Sequence, residues 1–109
     1  MIGAMRPPAV PHGISRTAWD RLTDFQRLVY GAVCRIPRGH TRSYRWVAER
    51  IGRPRAARAV GQALRRNPFA PIVPCHRVVR SDGALGGYAR GSARKRRLLQ
   101  QEGWQDKKR

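Results

Sequence analysis

Apolar side chains at Phe25, Leu28, Val29, Ala32, Val33 and Ile36 recur at i, i+3, i+4, i+7, i+8 and i+11, the stripe of an amphipathic helix. Thr23-Asp-Phe-Gln26 ahead of it has the form of a capping box, with Thr at the N-cap and Gln at N3. Pro37 and Gly39 stop the run. The pattern restarts after Ser43, with Val47, Ala48 and Ile51 inward and Gly52 past the helix end. Pro54 suits the first turn of a third helix, which would bury Ala57, Val60, Gly61 and Leu64. Only the turn Gly52-Arg53 parts the second and third helices, so together they predict a helix-turn-helix.

Asn67-Pro68 ends the third helix. Residues 71–79, PIVPCHRVV, are apolar and β-branched between prolines, which predicts an extended segment whose Val78 and Val79 begin a strand. Ser81-Asp82-Gly83 is a turn signal, and Ala84 to Tyr88 would return as the second strand of a hairpin. Ser92 can cap a last helix running through Gln101, with Gly103 ending it. The expected fold is therefore mainly α with a small β-hairpin, a single winged-helix-like domain. Its expected limits are a flexible extension over 1–16, the domain over 17–104 and a basic tail over 105–109. The first 16 to 22 residues show no periodicity and are expected to be disordered or loosely docked.

Charge changes the picture most. Against 24 Lys and Arg there are 6 Asp and Glu, a net charge of +18 over 109 residues. Neutralising phosphates with release of counterions rewards such a balance, so nucleic acid is the leading partner; an anionic membrane surface or ribosomal RNA are the rivals. The exposed face of the third helix, with Arg55, Arg58, Gln62 and Arg65, contains no acid. Merely solvated faces mix signs, whereas a groove-binding element needs cations. No apolar run approaches the length that spans a bilayer, and the start MIGAMRPPAVPHG lacks the apolar stretch of a signal peptide. A cytoplasmic setting is expected, at the nucleoid in a prokaryote. Two cysteines in such a setting read as free thiols rather than as a Cys34–Cys75 disulfide.

The chemistry concentrates at Pro74-Cys75-His76-Arg77-Val78. A thiol reacts as its thiolate, which needs a nearby base or positive charge. His76 is the obvious base, but neighbours in an extended chain point to opposite faces, so a bridging water or a local helical turn is expected between them. Such a base is oriented by a third group. Glu102, i+4 from Leu98 and i+3 from Leu99, lies at the edge of the last helix's buried stripe, although a surface position fits that spacing as well. Cys34, within an apolar stripe, reads as an inert small hydrophobe. The candidate metal ligands Cys34, Cys75, His12, His40 and His76 have neither CxxC nor HxxxH spacing, so no metal is expected; nor is there a Gly-rich phosphate loop.

The run NPFAPIVPCHRVVRSDGALGGYARG, with IPRGHTRSY and RAARAVGQALRRNP upstream and RKRRLLQQEG downstream, resembles the O6-alkylguanine-DNA alkyltransferases (methylated-DNA–protein-cysteine methyltransferases). PCHRV is that family's signature, and the resemblance covers about residues 17–104. It implies single-turnover transfer of a methyl or larger alkyl group from guanine O6 to Cys75, without a cofactor, by a monomer acting on double-stranded DNA. It makes His76 the base, acting through a water, with Glu102 orienting it and Asn67 bracing the site. Tyr44 would be the donor to the departing guanine, and Arg58 the residue that enters the base stack when the nucleotide turns out. Ser43, Arg45, Arg55, Gln62 and Arg65 would join Arg58 against the DNA, read from its minor groove. Gly87, Tyr88, Val78 and Arg90 would border the base pocket. Family members commonly carry a further N-terminal α/β domain, so the chain resembles the DNA-binding and active-site domain alone. That compact layout is also the layout of the alkyltransferase-like lesion sensors, which usually carry Trp where this chain has Cys75. Arg90 stands where many relatives place a small residue.

Overall fold

The computed structural model describes residues 9–81, 85 and 92–104. In chain order these form α1 (Arg16–Asp20), α2 (Asp24–Cys34), β1 (Arg42–Ser43), α3 (Tyr44–Arg50), α4 (Ala57–Arg65), a 3-10 turn (Cys75–Arg77), β2 (Val78–Val79) and α5 (Ser92–Gln101). Among the described residues the fold is mostly helical, as expected, with one small two-stranded sheet.

The capping box of α2 is complete. Gln26 N–H donates to Thr23 Oγ1 at 3.1 Å, and Thr23 N–H donates to Gln26 Oε1 at 2.9 Å. Thr23→Ala removes one of these bonds and should lower stability by about 1 kcal/mol. Thermal denaturation should show the midpoint falling by about 5 °C. Behind the cap, Val29, Val33 and Ile36 of the predicted stripe are fully buried. They pack with Val47, Ala48 and Ile51 from α3 and with Val60 and Leu64 from α4. Ser43 caps α3 by accepting from Trp46 N–H at 2.9 Å, and Gly52 follows that helix at φ +78°. The helix-turn-helix pair is α3 and α4.

Three expectations need correction. The segment after residue 9 is docked, not loose: Ser15 caps α1, and Trp19 is buried with its ring 6.5 Å from that of Phe69. Arg27 holds this corner by donating to Leu22 O at 2.7 Å. A five-residue helix is too short to show periodicity, which is why the sequence pattern is silent there. Pro54 and Arg55 are not helical, because Arg53 N–H donates to Ala48 O and Ala56 N–H to Arg53 O, each at 2.9 Å. This turn consumes them, and α4 starts at Ala57. Residues 71–77 are not extended but run through turns into the 3-10 helix. Val78 and Val79 form the expected strand, and among the described residues its partner is β1. The pairing is parallel, Arg42 with Val78 and Ser43 with Val79. The expected return strand over 84–88 lies outside the described residues apart from Leu85.

Candidate active site

The segment carrying Cys75 is shaped from α4 outward. Asn67, just past that helix and buried, donates through Nδ2 to Val73 O at 2.9 Å and accepts from Phe69 N–H at 2.8 Å. Both ends of the 69–73 loop are thus tied to one amide side chain. Cys75 N–H donates to Val73 O at 2.8 Å and Arg77 N–H to Pro74 O at 2.9 Å. The chain therefore winds at Cys75, and a 3-10 turn sets consecutive side chains roughly 120° apart instead of on opposite faces. Cys75 and His76 can then serve a common space. Neither cysteine is in a disulfide; Cys75 is 5 % exposed and Cys34 half-buried.

His76 is fully buried, with Nε2 at 3.0 Å from Glu102 Oε2. Arg77 grips the same carboxylate with both prongs of its guanidinium, Nε to Oε1 at 2.9 Å and Nη2 to Oε2 at 2.7 Å, and its Nη1 donates to Ile36 O at 2.7 Å. Burial pushes the Glu102 carboxyl up, but the hydrogen bonds from Arg77 and His76 and their positive charge prevail and hold it at about 2. Burial lowers the His76 imidazole more than the Glu102 contact raises it, which favours the neutral ring near pH 7. A neutral ring facing a carboxylate places its proton on Nε2. Nδ1 then carries the lone pair; it is buried and has no hydrogen-bond partner among the described residues. The result is a basic nitrogen oriented by a carboxylate that is itself fixed by arginine, one residue from the thiol.

Glu102 is presented by the end of α5. Its N–H donates to Leu99 O at 3.0 Å, Trp104 N–H donates to Leu99 O at 2.9 Å, and Gly103 takes φ +90° to close the helix. The side chain is 8 % exposed and faces inward. Gly39, at φ +82°, lies so close beneath that an added Cβ would stand 3.0 Å from Glu102 O.

Tyr44 opens α3 and is half-buried. Burial raises its hydroxyl, and negative charge at Cys75 raises it further, so it remains an O–H donor. Gly61 leaves room for it, since a Cβ there would meet the Tyr44 ring at 3.8 Å. Of the cationic set, Arg45, Arg55, Arg58, Gln62 and Arg65 are exposed. Ser43 is occupied by its capping bond, and the Val78 side chain is fully buried. Gly87, Tyr88 and Arg90 lie outside the described residues.

Two residues were missed by sequence reasoning. Arg77 stood within the PCHRV motif, but its grip on Glu102 depends on a contact across 25 positions. Lys95 is 0 % exposed, donates to Leu85 O, and holds its Nζ 5.8 Å from the Tyr44 ring centroid. Burial lowers its ammonium to about 8, against a raising effect from charge at Cys75. The usable signal was spacing, since Lys95, Leu99 and Glu102 fall at i, i+4 and i+7 and share one helix face.

The sequence profile of the 6-O-methylguanine DNA methyltransferase DNA-binding domain matches residues 24–104. The methylated-DNA–protein-cysteine methyltransferase of Methanosarcina barkeri is 58 % identical over 80 residues, which are 73 % of this chain and 51 % of that protein. The Mycobacterium tuberculosis protein of the same name is 56 % identical over 82 residues, 75 % of this chain and 50 % of its own length. Among solved structures, Mycobacterium tuberculosis OGT in complex with DNA superposes with a TM-score of 0.74 at 56 % identity, covering 75 % of this chain and 51 % of that one. S. pombe Atl1 in complex with damaged DNA containing O6-carboxymethylguanine gives 0.68 at 37 % identity, covering 76 % of this chain and 79 % of that one. The chain spans about half the length of the curated relatives it matches.

Proposed function

The chain belongs to the 6-O-methylguanine DNA methyltransferase DNA-binding family, and from that membership we propose that it transfers an alkyl group from O6 of guanine in duplex DNA to Cys75. The observation that carries this reading is the orientation of His76, whose Nε2 is held by Glu102 while its basic Nδ1 has no protein partner among the described residues.

In the proposed step the Cys75 proton passes through a water to His76 Nδ1. The thiolate sulfur displaces guanine at the alkyl carbon, so that the S–C bond forms as the C–O6 bond breaks, and the electron pair leaves with the purine. Tyr44 donates a hydrogen bond to the departing base, and the proton taken by His76 balances the one guanine gains. The imidazolium formed on the way is stabilised by Glu102. Water finds no carbonyl in the resulting thioether, so each molecule acts once. Guanine inside a duplex cannot reach a thiol this deeply buried. The nucleotide must be extruded at a cost of a few kcal/mol, and Arg58 on the exposed face of α4 offsets part of this by entering the gap. Entry from the minor groove implies little sequence preference, because its donor and acceptor pattern is degenerate.

The deciding experiment is mass spectrometry of the reduced protein after incubation with a duplex containing O6-methylguanine. The Cys75 peptide should gain one methylene. An unchanged peptide with the duplex still bound would replace this reading with lesion sensing, which the likeness to S. pombe Atl1 favours as the alternative.

Lys95 acts on the same step. A buried ammonium whose titration feels charge at Cys75 lowers the energy of the thiolate. Lys95→Met should slow transfer about tenfold near pH 7, the equivalent of one unit in the thiol pKa. The ammonium loses its proton as pH rises through about 8. The ratio of wild-type to variant rates, followed by quenched transfer assays, should therefore shrink above that pH.

A further inference from the structure

A second cationic feature spans β1 and α3, beyond the Tyr44 and Arg45 already assigned on that helix. Arg42, Trp46 and Arg50 are spaced at i, i+4 and i+8. The Arg42 guanidinium stands 5.4 Å from the centroid of the Trp46 ring and that of Arg50 6.0 Å. One indole thus has two arginines stacked against it. Val47, Ala48 and Ile51 of the helix are buried in the core and Trp46 is half-buried against it, so the stack sits at the edge of the core, with Arg50 exposed. Neither guanidinium makes an ion pair among the described residues. Glu49, next to Arg50, is turned about 100° around the helix. Arg42 is anchored, since its Nη1 donates to Thr41 O at 2.9 Å and its backbone pairs in β1 with Val78, three residues from Cys75.

We propose that the Arg42–Trp46–Arg50 stack is a DNA-backbone clamp that binds phosphates flanking the groove entered by α4. Two guanidiniums at one ring concentrate positive charge that no ion-paired acid offsets among the described residues. In a chain of 24 cations against 6 acids, an incoming phosphate is the anion that would neutralise it. Stacking on an aromatic face restricts the guanidinium while leaving its in-plane N–H donors available to phosphate oxygens. In a helix-turn-helix the first helix crosses the backbone while the second enters the groove, and α3 is the first. The proposal rests on the DNA-binding part of the reading above and adds residues that it does not use.

The test is binding of an undamaged duplex oligonucleotide, followed by fluorescence anisotropy across a range of salt concentrations. Arg42→Ala and Arg50→Ala should each reduce the slope of log affinity against log salt by about 1. Trp46→Ala removes no charge, so it should keep the slope and weaken binding about threefold. Arg50→Lys should behave like Trp46→Ala, because it retains charge without a stacking plane. Arg50 is exposed, so its variants do not endanger the fold. If both arginine variants keep the wild-type slope while Arg65→Ala loses a unit, the clamp is refuted and DNA binding through α4 stands. If Arg65→Ala also has no effect, the DNA reading falls with it. A loss confined to single-stranded oligonucleotide in Trp46→Ala would mean that the indole stacks on bases, which overturns the phosphate assignment.

Discussion

Cys75→Ser is expected to abolish alkyl transfer while leaving binding to alkylated duplex within about twofold of wild type, an allowance far smaller than the factor of ten that 1.4 kcal/mol represents. Serine places an oxygen where the sulfur stands, so the turn held by Asn67 and Val73 is undisturbed. Its hydroxyl is much less acidic than a thiol, and a neutral imidazole whose pKa burial has lowered is too weak a base to generate an alkoxide. Removing an essential nucleophile from a cooperating set costs on the order of 10^6-fold where it has been measured, so the expected readout is no methylated protein at any incubation time. Gel-shift or anisotropy titration with the O6-methylguanine duplex supplies the other half. Loss of binding together with transfer would mean that the thiol contributes to recognition and that the assignment of DNA contacts to α4 is incomplete.

Glu102→Gln should be the most destabilising single change at the site. The carboxyl stands at about 2 when folded against an ordinary 4.5. A depressed pKa of this size corresponds to about 3 kcal/mol of stability. That stability is fully present above pH 4.5 and disappears as the pH falls towards 2. Glutamine removes the charge and leaves Arg77, with its side chain only 13 % exposed, buried without its anion. Breaking a buried pair by removing one partner costs about 3 kcal/mol or more. For a domain of this size the thermal midpoint should fall on the order of 15 °C. Denaturant unfolding of wild type between pH 5 and pH 2 should show the acid loss of stability, and the variant's profile should be flatter there. Parallel profiles would show that the acid limb belongs to other groups. Transfer should weaken as well, because the amide neither fixes the His76 tautomer nor stabilises the imidazolium.

Legibility in the sequence followed the range of the interaction involved. Capping bonds and helical stripes join residues three or four positions apart, so α2, α3, α5 and the helix-turn-helix were readable from spacing. The spacing of Glu102 from Leu98 and Leu99 allowed a buried and a surface position alike, and the packed structure places its side chain inward. The parallel pairing of β1 with β2 joins residues 36 positions apart, and no local pattern encodes it. The proline-punctuated run before Cys75 has a β-branched composition that suggested extension. The 3-10 turn at Cys75–Arg77 is instead the local helical turn, one of the two expectations for the Cys75–His76 pair. The hold of Arg77 on both Glu102 and Ile36 O and the burial of Lys95 need the packed tertiary structure. For both residues the type suggested surface, because long cations are rarely buried.

The two short strands carry a consequence for how the molecule fails. Parallel strands cannot be joined by a tight turn and need a long crossover; here that crossover is residues 44–77, which contain α3 and α4. The helix pair α3–α4 and the Cys75 sulfur are therefore not separate modules but one closed circuit of chain. A copy whose helix pair has melted should also lose the β1–β2 junction and the frame that orients His76. Damaged molecules should fall silent instead of persisting as indiscriminate scavengers of electrophiles.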